Sequence, residues 1–242
     1  MFDALGFRGI WNRPETKVNP ERVIEKLREL EREANTKLSR EFGGVENAVR
    51  SDENILGSAA FSFLSDTIVF GLTAKAPTDR AHAVGWTMVV AADFVSNVVR
   101  EAAMSSPALA YRGCVAFGSF ALERNFIVGP AVDEAAENMD RAQGAFVWST
   151  PSAHAALVEA GFATEASDTS LAQYAVPMKG GDVFQTEVVN PLDRKGSRAQ
   201  SDALTDRILQ TFSGGLDVMI KRQNTELFLR QMADRRWPSQ TE

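Results

Sequence analysis

Two aspartates in this sequence lie among apolar residues, where a charged side chain is costly. Asp3 lies within the strand-like run FDALGF, and Asp66 is flanked by the runs FSFLS and TIVF. An ionised carboxylate in such surroundings needs a cation to compensate it. If neighbouring strands bring the two together, they form a hard-oxygen site suited to Mg²⁺ or Mn²⁺. For either aspartate alone, a turn position exposed to water explains the residue equally well.

A strand and a hairpin must position these aspartates. Residues 1–10 have the pattern of a short buried strand that is broken at Gly6. Residues 60–73 contain two apolar runs on either side of Ser65-Asp66, which predicts a β-hairpin with a polar tip. Asp3 is therefore expected within a strand and Asp66 at a turn.

Two helices are predicted in the N-terminal half. Asn19-Pro20 is a typical helix start, with Asn19 as the N-cap, and apolar residues then recur at helical spacing as far as Gly43-Gly44. The outer face of this first helix is strongly charged. The long, largely apolar segment from Thr78 to about Met104 predicts a second helix that is mostly buried.

Strand and helix patterns alternate over the following residues, which indicates an α+β fold with a mixed sheet packed by helices. The predicted elements are two strands within 108–130, a helix at about 131–142, a strand at 144–149, a helix from Thr150-Pro151 to Gly161, and strands at 174–178 and 183–189. We place the boundary of this domain at residue 192.

A helical extension is predicted over residues 193–242. Its helical pattern is interrupted at Ser213-Gly214-Gly215, which indicates two helices that pack on the domain or on a second copy of the chain. Leu227, Phe228 and Met232 could supply an apolar face for that packing.

Composition excludes several classes of protein. The 242 residues are 44% hydrophobic, and 26 basic against 32 acidic residues give a net charge of -6, which disfavours a nucleic-acid partner. The single cysteine, Cys114, lies in an apolar run, which predicts a buried core residue and a reducing cytoplasm. We find no leader-like segment and no apolar run of the roughly 18 residues needed to span a bilayer, so a cytoplasmic location without a membrane partner is expected.

Several motifs resemble those of class III nucleotide cyclases. FDALGFRG resembles the first strand of that family, and FLSDTIVF resembles its metal-binding hairpin. Residues 111–149, from YRGCVAFGSF to GAFVWS, follow the family's order of strands and helix. The resemblance covers residues 1 to about 190 and implies the cyclase fold, a ferredoxin-like mixed sheet packed by helices.

The resemblance implies a reaction in which the 3′-hydroxyl of a nucleotide attacks its own α-phosphate and releases pyrophosphate. Two divalent cations, Mn²⁺ or Mg²⁺, would hold the attacking and leaving oxygens in line. Asp3 and Asp66 would be the shared ligands, and the Ala4 carbonyl could bind one ion. Backbone N–H groups around Gly6 and Phe7 could receive the triphosphate.

Lys179, in the run PMKGG, matches the position of a phosphate-binding lysine in these cyclases. A solvated turn lysine is the alternative interpretation. Because the family builds its active sites between two domains, the resemblance implies that a chain with one catalytic domain acts as a homodimer.

Four positions depart from the adenylate cyclase pattern. The two positions that read adenine hold Ser62 and Phe126, which cannot replace the usual charged contacts. The family's transition-state asparagine and arginine are replaced by Asp133 and Glu137, which cannot stabilise developing negative charge. Arg141, one turn beyond Glu137, is a candidate replacement donor, and a salt bridge between those two residues is the alternative.

The chain combines intact metal-binding aspartates, a single compact domain, altered base-reading positions and an Arg-Gly start to the fourth strand. This combination resembles the pyrimidine cyclases of the bacterial Pycsar antiphage system. These make cyclic UMP or cyclic CMP, which activates a separate effector. Phe61, Phe63 or Phe126 could stack on a pyrimidine, although each could equally be a core residue. Arg112 could donate to the carbonyls of uracil, which favours UTP over CTP, or form a structural salt bridge. A cytidylate, adenylate or guanylate cyclase, and a catalytically degenerate homologue that only binds nucleotide, are the alternatives.

Overall fold

The computed structural model describes residues 1–5, 20–41, 56–64, 66–74, 80–123, 126–162, 170–193 and 195–238. These residues form nine strands and six helices, so the predicted α+β class is confirmed. The strands are β1 (Phe2–Leu5), β2 (Leu56–Leu64), β3 (Thr67–Ala74), β4 (Ala110–Val115), β5 (Ala121–Glu123), β6 (Phe126–Val128), β7 (Val147–Ser149), β8 (Leu171–Pro177) and β9 (Val183–Val189). The helices are α1 (Pro20–Glu41), α2 (Arg80–Met104), α3 (Pro130–Asn138), α4 (Pro151–Glu159), α5 (Arg198–Leu209) and α6 (Leu216–Arg236).

Seven of these strands form one mixed sheet in the order β2-β3-β1-β4-β7-β9-β8. β1 pairs antiparallel with both β3 and β4, whereas β4 and β7 run parallel. The short N-terminal strand therefore lies between the β2–β3 hairpin and β4. This order brings residues that are far apart in sequence to the same part of the sheet.

Helices cover both faces of the sheet. α1, α2 and α4 pack on one face around a core that includes Phe2, Phe94 and Tyr111. α3 and α6 cover the other face around Trp148 and Phe228, and α5 packs against α2 and α6. Alternate side chains of β4, β7, β8 and β9 therefore enter two different cores.

The two predicted C-terminal helices pack on the chain's own sheet. Phe228 lies 5.4 Å from Phe146 and 4.9 Å from Tyr174, measured between ring centroids. Of the three residues predicted to form an apolar face, Phe228 and Met232 are buried, but Leu227 is 55% exposed. Phe228 and Met232 are four residues apart and share one face of α6, while Leu227 points away from it.

Two features of residues 108–142 differ from the predictions: the number of strands and the end of the helix. The segment expected to form two strands forms β4 and a separate hairpin of β5 and β6, which is not part of the main sheet. α3 ends at Asn138 instead of continuing to Ala142. Ala142 forms an antiparallel β-bridge with Met178, the residue after β8. Because this backbone pairing is incompatible with a helix, α3 ends before Ala142.

α2 has the length and apolar composition of a membrane-spanning helix over Ala81–Met104, although the sequence was predicted to contain no apolar run long enough to span a bilayer. However, 67% of its most apolar window is buried inside the fold. A core helix passes the same test of length and composition, so this helix is weak evidence for a membrane location.

Gly113 allows β1 and β4 to approach each other. A Cβ atom there would lie 2.2 Å from the Met1 carbonyl oxygen and 2.4 Å from the Phe2 Cα. We expect Gly113→Ala to lower the free energy of unfolding by about 1–3 kcal/mol, because backbone atoms must move apart. Urea denaturation measures this. Gly215→Ala, whose Cβ would meet nothing within 4 Å, is the control and should cost less than about 1 kcal/mol; equal losses would contradict the close approach.

Candidate functional site

The sheet brings the two predicted metal-binding aspartates together. Asp3 lies on β1 opposite Thr67, the first residue of β3. Asp66 occupies the turn just before it, and its carbonyl oxygen accepts a hydrogen bond from the Ala4 N–H at 3.3 Å. The tip of the β2–β3 hairpin is thus fixed to the end of β1, as the predicted strand and hairpin require.

Arg112 lies opposite Asp3 on the other neighbouring strand, β4. Its guanidinium donates to both carboxylate oxygens of Asp3, from Nε to Oδ1 at 3.1 Å and from Nη2 to Oδ2 at 3.3 Å. Each of the two side chains is only 16% exposed. A paired arginine in this position compensates the carboxylate that the apolar surroundings would otherwise penalise.

The aspartates open into a cavity of about 600 Å³. One side of it is formed by β1, β4 and the hairpin turn, through Asp3, Asp66 and Arg112. The other side is formed by the start of the C-terminal helix α6 and the residues before it, including Ser213 and Lys221. The volume falls in the range of small-molecule sites, and charged groups of both signs line it.

No protein-family model matches this chain, and neither does any curated protein or solved structure. The chemistry of the site therefore has to be inferred from its own residues. The α+β class is established by the structure, whereas the resemblance to class III nucleotide cyclases stays a prediction.

Asp3 and Asp66 could hold a hard divalent cation, with the two Asp3 oxygens also accepting hydrogen bonds from Arg112. Asp3 and Asp66 supply carboxylate oxygens, and Ala4 lies beside them along the cavity wall. Among the described residues, no group of three or more histidine, cysteine or acidic side chains could hold a metal ion. A carboxylate pair of this kind suits Mg²⁺, which is usually bound by one or two carboxylates together with water and substrate phosphates.

Three cations lie near one another on this side of the molecule. Lys179, in the turn after β8, forms an exposed ion pair with Asp140, from Nζ to Oδ2 at 2.5 Å. That hydrogen bond holds the pKa of Asp140 below its usual range. Burial lowers the pKa of Lys221, and the charges of Arg112 and Lys179 lower it further. The positive charges are therefore close enough to repel one another.

The other predicted base-contacting residues lie on neighbouring elements. Ser62 and Phe63 are on the outer strand β2, where they pair with Val69 and Ile68. The side chains of Phe61, Ser62 and Phe63 fall outside the described part of the chain. Phe126 begins β6 in the small hairpin, and its side chain is likewise not described. Gly6 and Phe7 lie wholly outside the described residues.

Arg141 is placed differently from the prediction. It was expected one turn beyond Glu137 on the same helix, but α3 ends at Asn138 and Arg141 follows in a turn. Its Nη1 donates to the Asn138 side-chain oxygen at 3.3 Å. No ion pair joins Arg141 to Glu137 in the part of the chain that the structure describes, so the alternative salt bridge is also not formed. Asp133 and Glu137 are exposed on α3.

The contribution of the C-terminal helices to the cavity was not predicted from the sequence. Lys221, Thr211 and Ser213 all line it, and all three belong to the segment that was assigned to a packing extension. A single lysine in a charged helix carries no sequence signal that separates it from a solvated one. Only the docking of α6 on the sheet places Lys221 beside the aspartates.

A second cavity, of about 140 Å³, is mostly apolar. Phe70, Met88 and Phe120 contribute to its lining, together with Cys114. Cys114 is buried, as predicted, and burial raises the pKa of its thiol to about 11. A protonated, inaccessible thiol is a poor nucleophile, so this cavity offers no reactive group of that kind.

Glu187 is a buried carboxylate away from the main cavity. It accepts hydrogen bonds from His154 Nδ1 at 3.0 Å and from Gln173 Nε2 at 2.7 Å. Its side chain is 2% exposed, whereas that of His154 is 31% exposed. Because its oxygens are already bonded by neighbouring side chains, Glu187 has the environment of a structural group that ties α4 to β8 and β9.

Proposed function

We propose that this protein is a pyrimidine nucleotide cyclase that converts UTP to 3′,5′-cyclic UMP and pyrophosphate. The observation that carries the proposal is the meeting of Asp3 and Asp66 in one cavity, with Arg112 beside them. A carboxylate pair that opens into a cavity also lined by Arg112 and Lys221 suits a metal-bound triphosphate. We also propose, as part of the same assignment, that the mixed sheet is of the class III cyclase type.

In this reaction the two aspartates would hold the divalent cations, Mn²⁺ or Mg²⁺, at the junction of β1 and the hairpin. When bound there, such ions would lower the pKa of the 3′-hydroxyl and neutralise charge on the attacking and leaving oxygens. The carboxylates of Asp3 and Asp66 fix where that hydroxyl and the α-phosphate meet. The Ala4 carbonyl is the proposed further ligand, and the N–H groups of Gly6 and Phe7 are the proposed phosphate donors.

Uracil selection is assigned to Arg112. Two of its N–H donors bond to Asp3, and the remaining N–H groups are left for another acceptor. Because a guanidinium has donors and no acceptor, it suits the carbonyl groups of uracil better than the amino group of cytosine. Ser62, Phe63 and Phe126 are the proposed partners around the base, where the aromatic rings would stack.

The wider biological proposal follows from the resemblance to the pyrimidine cyclases of antiphage defence. The protein would act in the cytoplasm as a homodimer with active sites at the interface. Its cyclic nucleotide would activate a separate effector. The resemblance implies that Lys179 is a phosphate-binding lysine, although it is paired with Asp140 and does not line the cavity. Arg141 is the proposed transition-state donor, although it would have to leave its contact with Asn138.

A competition assay tests the base preference. The protein is incubated with equimolar ATP, GTP, CTP and UTP and with Mn²⁺, and the cyclic products are separated by mass. We expect cyclic UMP to be the main product. Cyclic CMP as the main product would assign the protein to the cytidylate alternative, and cyclic AMP or cyclic GMP would overturn the pyrimidine assignment.

A second candidate function is a degenerate domain that binds nucleotide without cyclising it. Asp133 and Glu137 favour it, because both carboxylates are exposed on α3 at positions where the resemblance calls for an asparagine and an arginine. In this case UTP binds with a measurable affinity, yet long incubation with either metal yields no cyclic nucleotide. Calorimetry alongside product analysis distinguishes the two functions.

A further inference from the structure

Lys221 lies on the wall of the cavity opposite the aspartates. It belongs to α6, in the segment beyond the proposed catalytic domain, and its side chain is half-buried. Asp3, Asp66 and Arg112 line the same cavity from the sheet side. The C-terminal helix therefore contributes a cation to a site whose other charged groups come from the sheet.

α6 is held in place at this point by bonds to the sheet domain. One turn beyond Lys221, the fully buried Thr225 accepts a hydrogen bond from the Ala145 N–H at 2.8 Å. Asn224 donates from Nδ2 to the Gln143 carbonyl oxygen at 2.7 Å. Since residues four apart share one face of a helix, Lys221 is presented to the same side as the buried Thr225.

The carboxylates of Asp217 and Asp140 offset only part of the positive charge around Lys221. Arg112 is paired with Asp3, and Lys179 is paired with Asp140. Lys221 forms no ion pair with any residue that the structure describes. A half-buried ammonium group beside two other cations is stabilised when an anion binds there.

We propose that Lys221 binds the polyphosphate tail of the nucleotide, and that α6 forms the wall of this phosphate subsite. The proposal rests on the nucleotide substrate inferred above and names the group that holds its phosphates. An ammonium group is a compact point charge that suits phosphate oxygens. Lys221 is better placed for this role than Lys179, which does not line the cavity and is already paired.

Binding of inorganic tripolyphosphate tests the subsite without any base or cyclisation. The full chain, with Mn²⁺ present, is titrated by calorimetry as wild type, Lys221→Met and Lys221→Arg. We expect Lys221→Met to weaken binding by about tenfold or more, because a charge-assisted contact is lost. Lys221→Arg, which keeps the charge, should stay within about threefold of wild type.

Arg222→Met is the matched control, because Arg222 is the next cation along α6, does not line the cavity, and is paired with Glu226 at 3.6 Å. It should bind tripolyphosphate as wild type does. Unchanged binding in Lys221→Met, an equal loss in Arg222→Met, or no binding by wild type would overturn the proposal. Thermal melting of each variant confirms that α6 stays folded.

Different experimental results would contradict the proposed phosphate subsite and the proposed cyclase activity. If Lys221→Met loses tripolyphosphate binding but wild type cyclises no nucleotide, the phosphate subsite stands and the cyclase proposal falls. If wild type makes cyclic UMP and Lys221→Met has the same KM for UTP, the cyclase stands and the subsite falls. A raised KM in Lys221→Met, restored by Lys221→Arg, supports both.

Discussion

Replacing Asp66 with asparagine is expected to reduce cyclic UMP formation by at least about 1,000-fold. Asp66 lies at the hairpin turn and lines the same cavity as Asp3. In the proposed function it supplies one of the two carboxylates for the divalent cations. Metal ions contribute several kcal/mol of transition-state stabilisation, and each 1.36 kcal/mol is about a tenfold change in rate. The rate of pyrophosphate release at saturating Mn²⁺ measures the loss.

The control for this variant is Asp182→Asn, which changes an exposed carboxylate in the turn between β8 and β9. It should retain the wild-type rate. Because asparagine has nearly the same shape as aspartate, both variants should melt within a few degrees of wild type. An Asp66→Asn protein that keeps more than about a tenth of the wild-type rate would show that the hairpin aspartate does not bind the catalytic metal.

The second large effect is expected for Arg112→Met. The guanidinium of Arg112 bonds to both oxygens of Asp3, and each side chain is only 16% exposed. Its removal leaves Asp3 uncompensated and takes away the proposed uracil donor. We expect the free energy of unfolding to fall by about 1–3 kcal/mol. We also expect kcat/KM for UTP to fall by about 100-fold, which corresponds to about 2.7 kcal/mol.

A double-mutant cycle with Asp3→Asn isolates the pair. The two stability losses should be less than additive, because the second substitution removes a partner that has already lost its charge. Arg198→Met is the control, since its carboxylate partners Asp202 and Asp234 are more than half exposed. An exposed pair of this kind should cost no more than about 1 kcal/mol. Strict additivity, or equal losses at Arg198 and Arg112, would contradict the special role of the Asp3 pair.

Local sequence patterns are sufficient for most of the elements around the site. The apolar runs on either side of Ser65-Asp66 predict the hairpin, and Asp66 lies at its turn. Thr150-Pro151 and Gly161 bracket α4 as expected, and Gly161 adopts the positive φ of 71° that favours glycine at a helix end. These features depend on neighbouring residues, so they can be derived without tertiary structure.

Other features depend on contacts between distant residues. The bond between Arg112 and Asp3 joins positions 109 residues apart, and only the pairing of β1 with β4 creates it. The early end of α3 follows from the bridge between Ala142 and Met178. In both cases a long-range strand contact decides the outcome, and no local pattern encodes its register.

The contribution of the C-terminal helices to the site also depends on contacts between distant residues. Their helical pattern and their break at Gly214-Gly215 are evident from the sequence. Which residue of α6 faces the cavity depends on how Phe228 packs against Phe146 and Tyr174. Lys221 could therefore not be distinguished from the exposed charges around it before the helix was placed.

The most direct measurement of the central claim is a product balance for UTP as the only nucleotide, with Mn²⁺ or Mg²⁺ as the added metal. A cyclase in which Asp3 and Asp66 hold the catalytic ions yields cyclic UMP and pyrophosphate in equal amounts, and chelation of the metal stops both. Unchanged UTP with both metals would contradict the account. Release of orthophosphate without cyclic UMP would contradict it as well, because it would assign hydrolysis to this cavity.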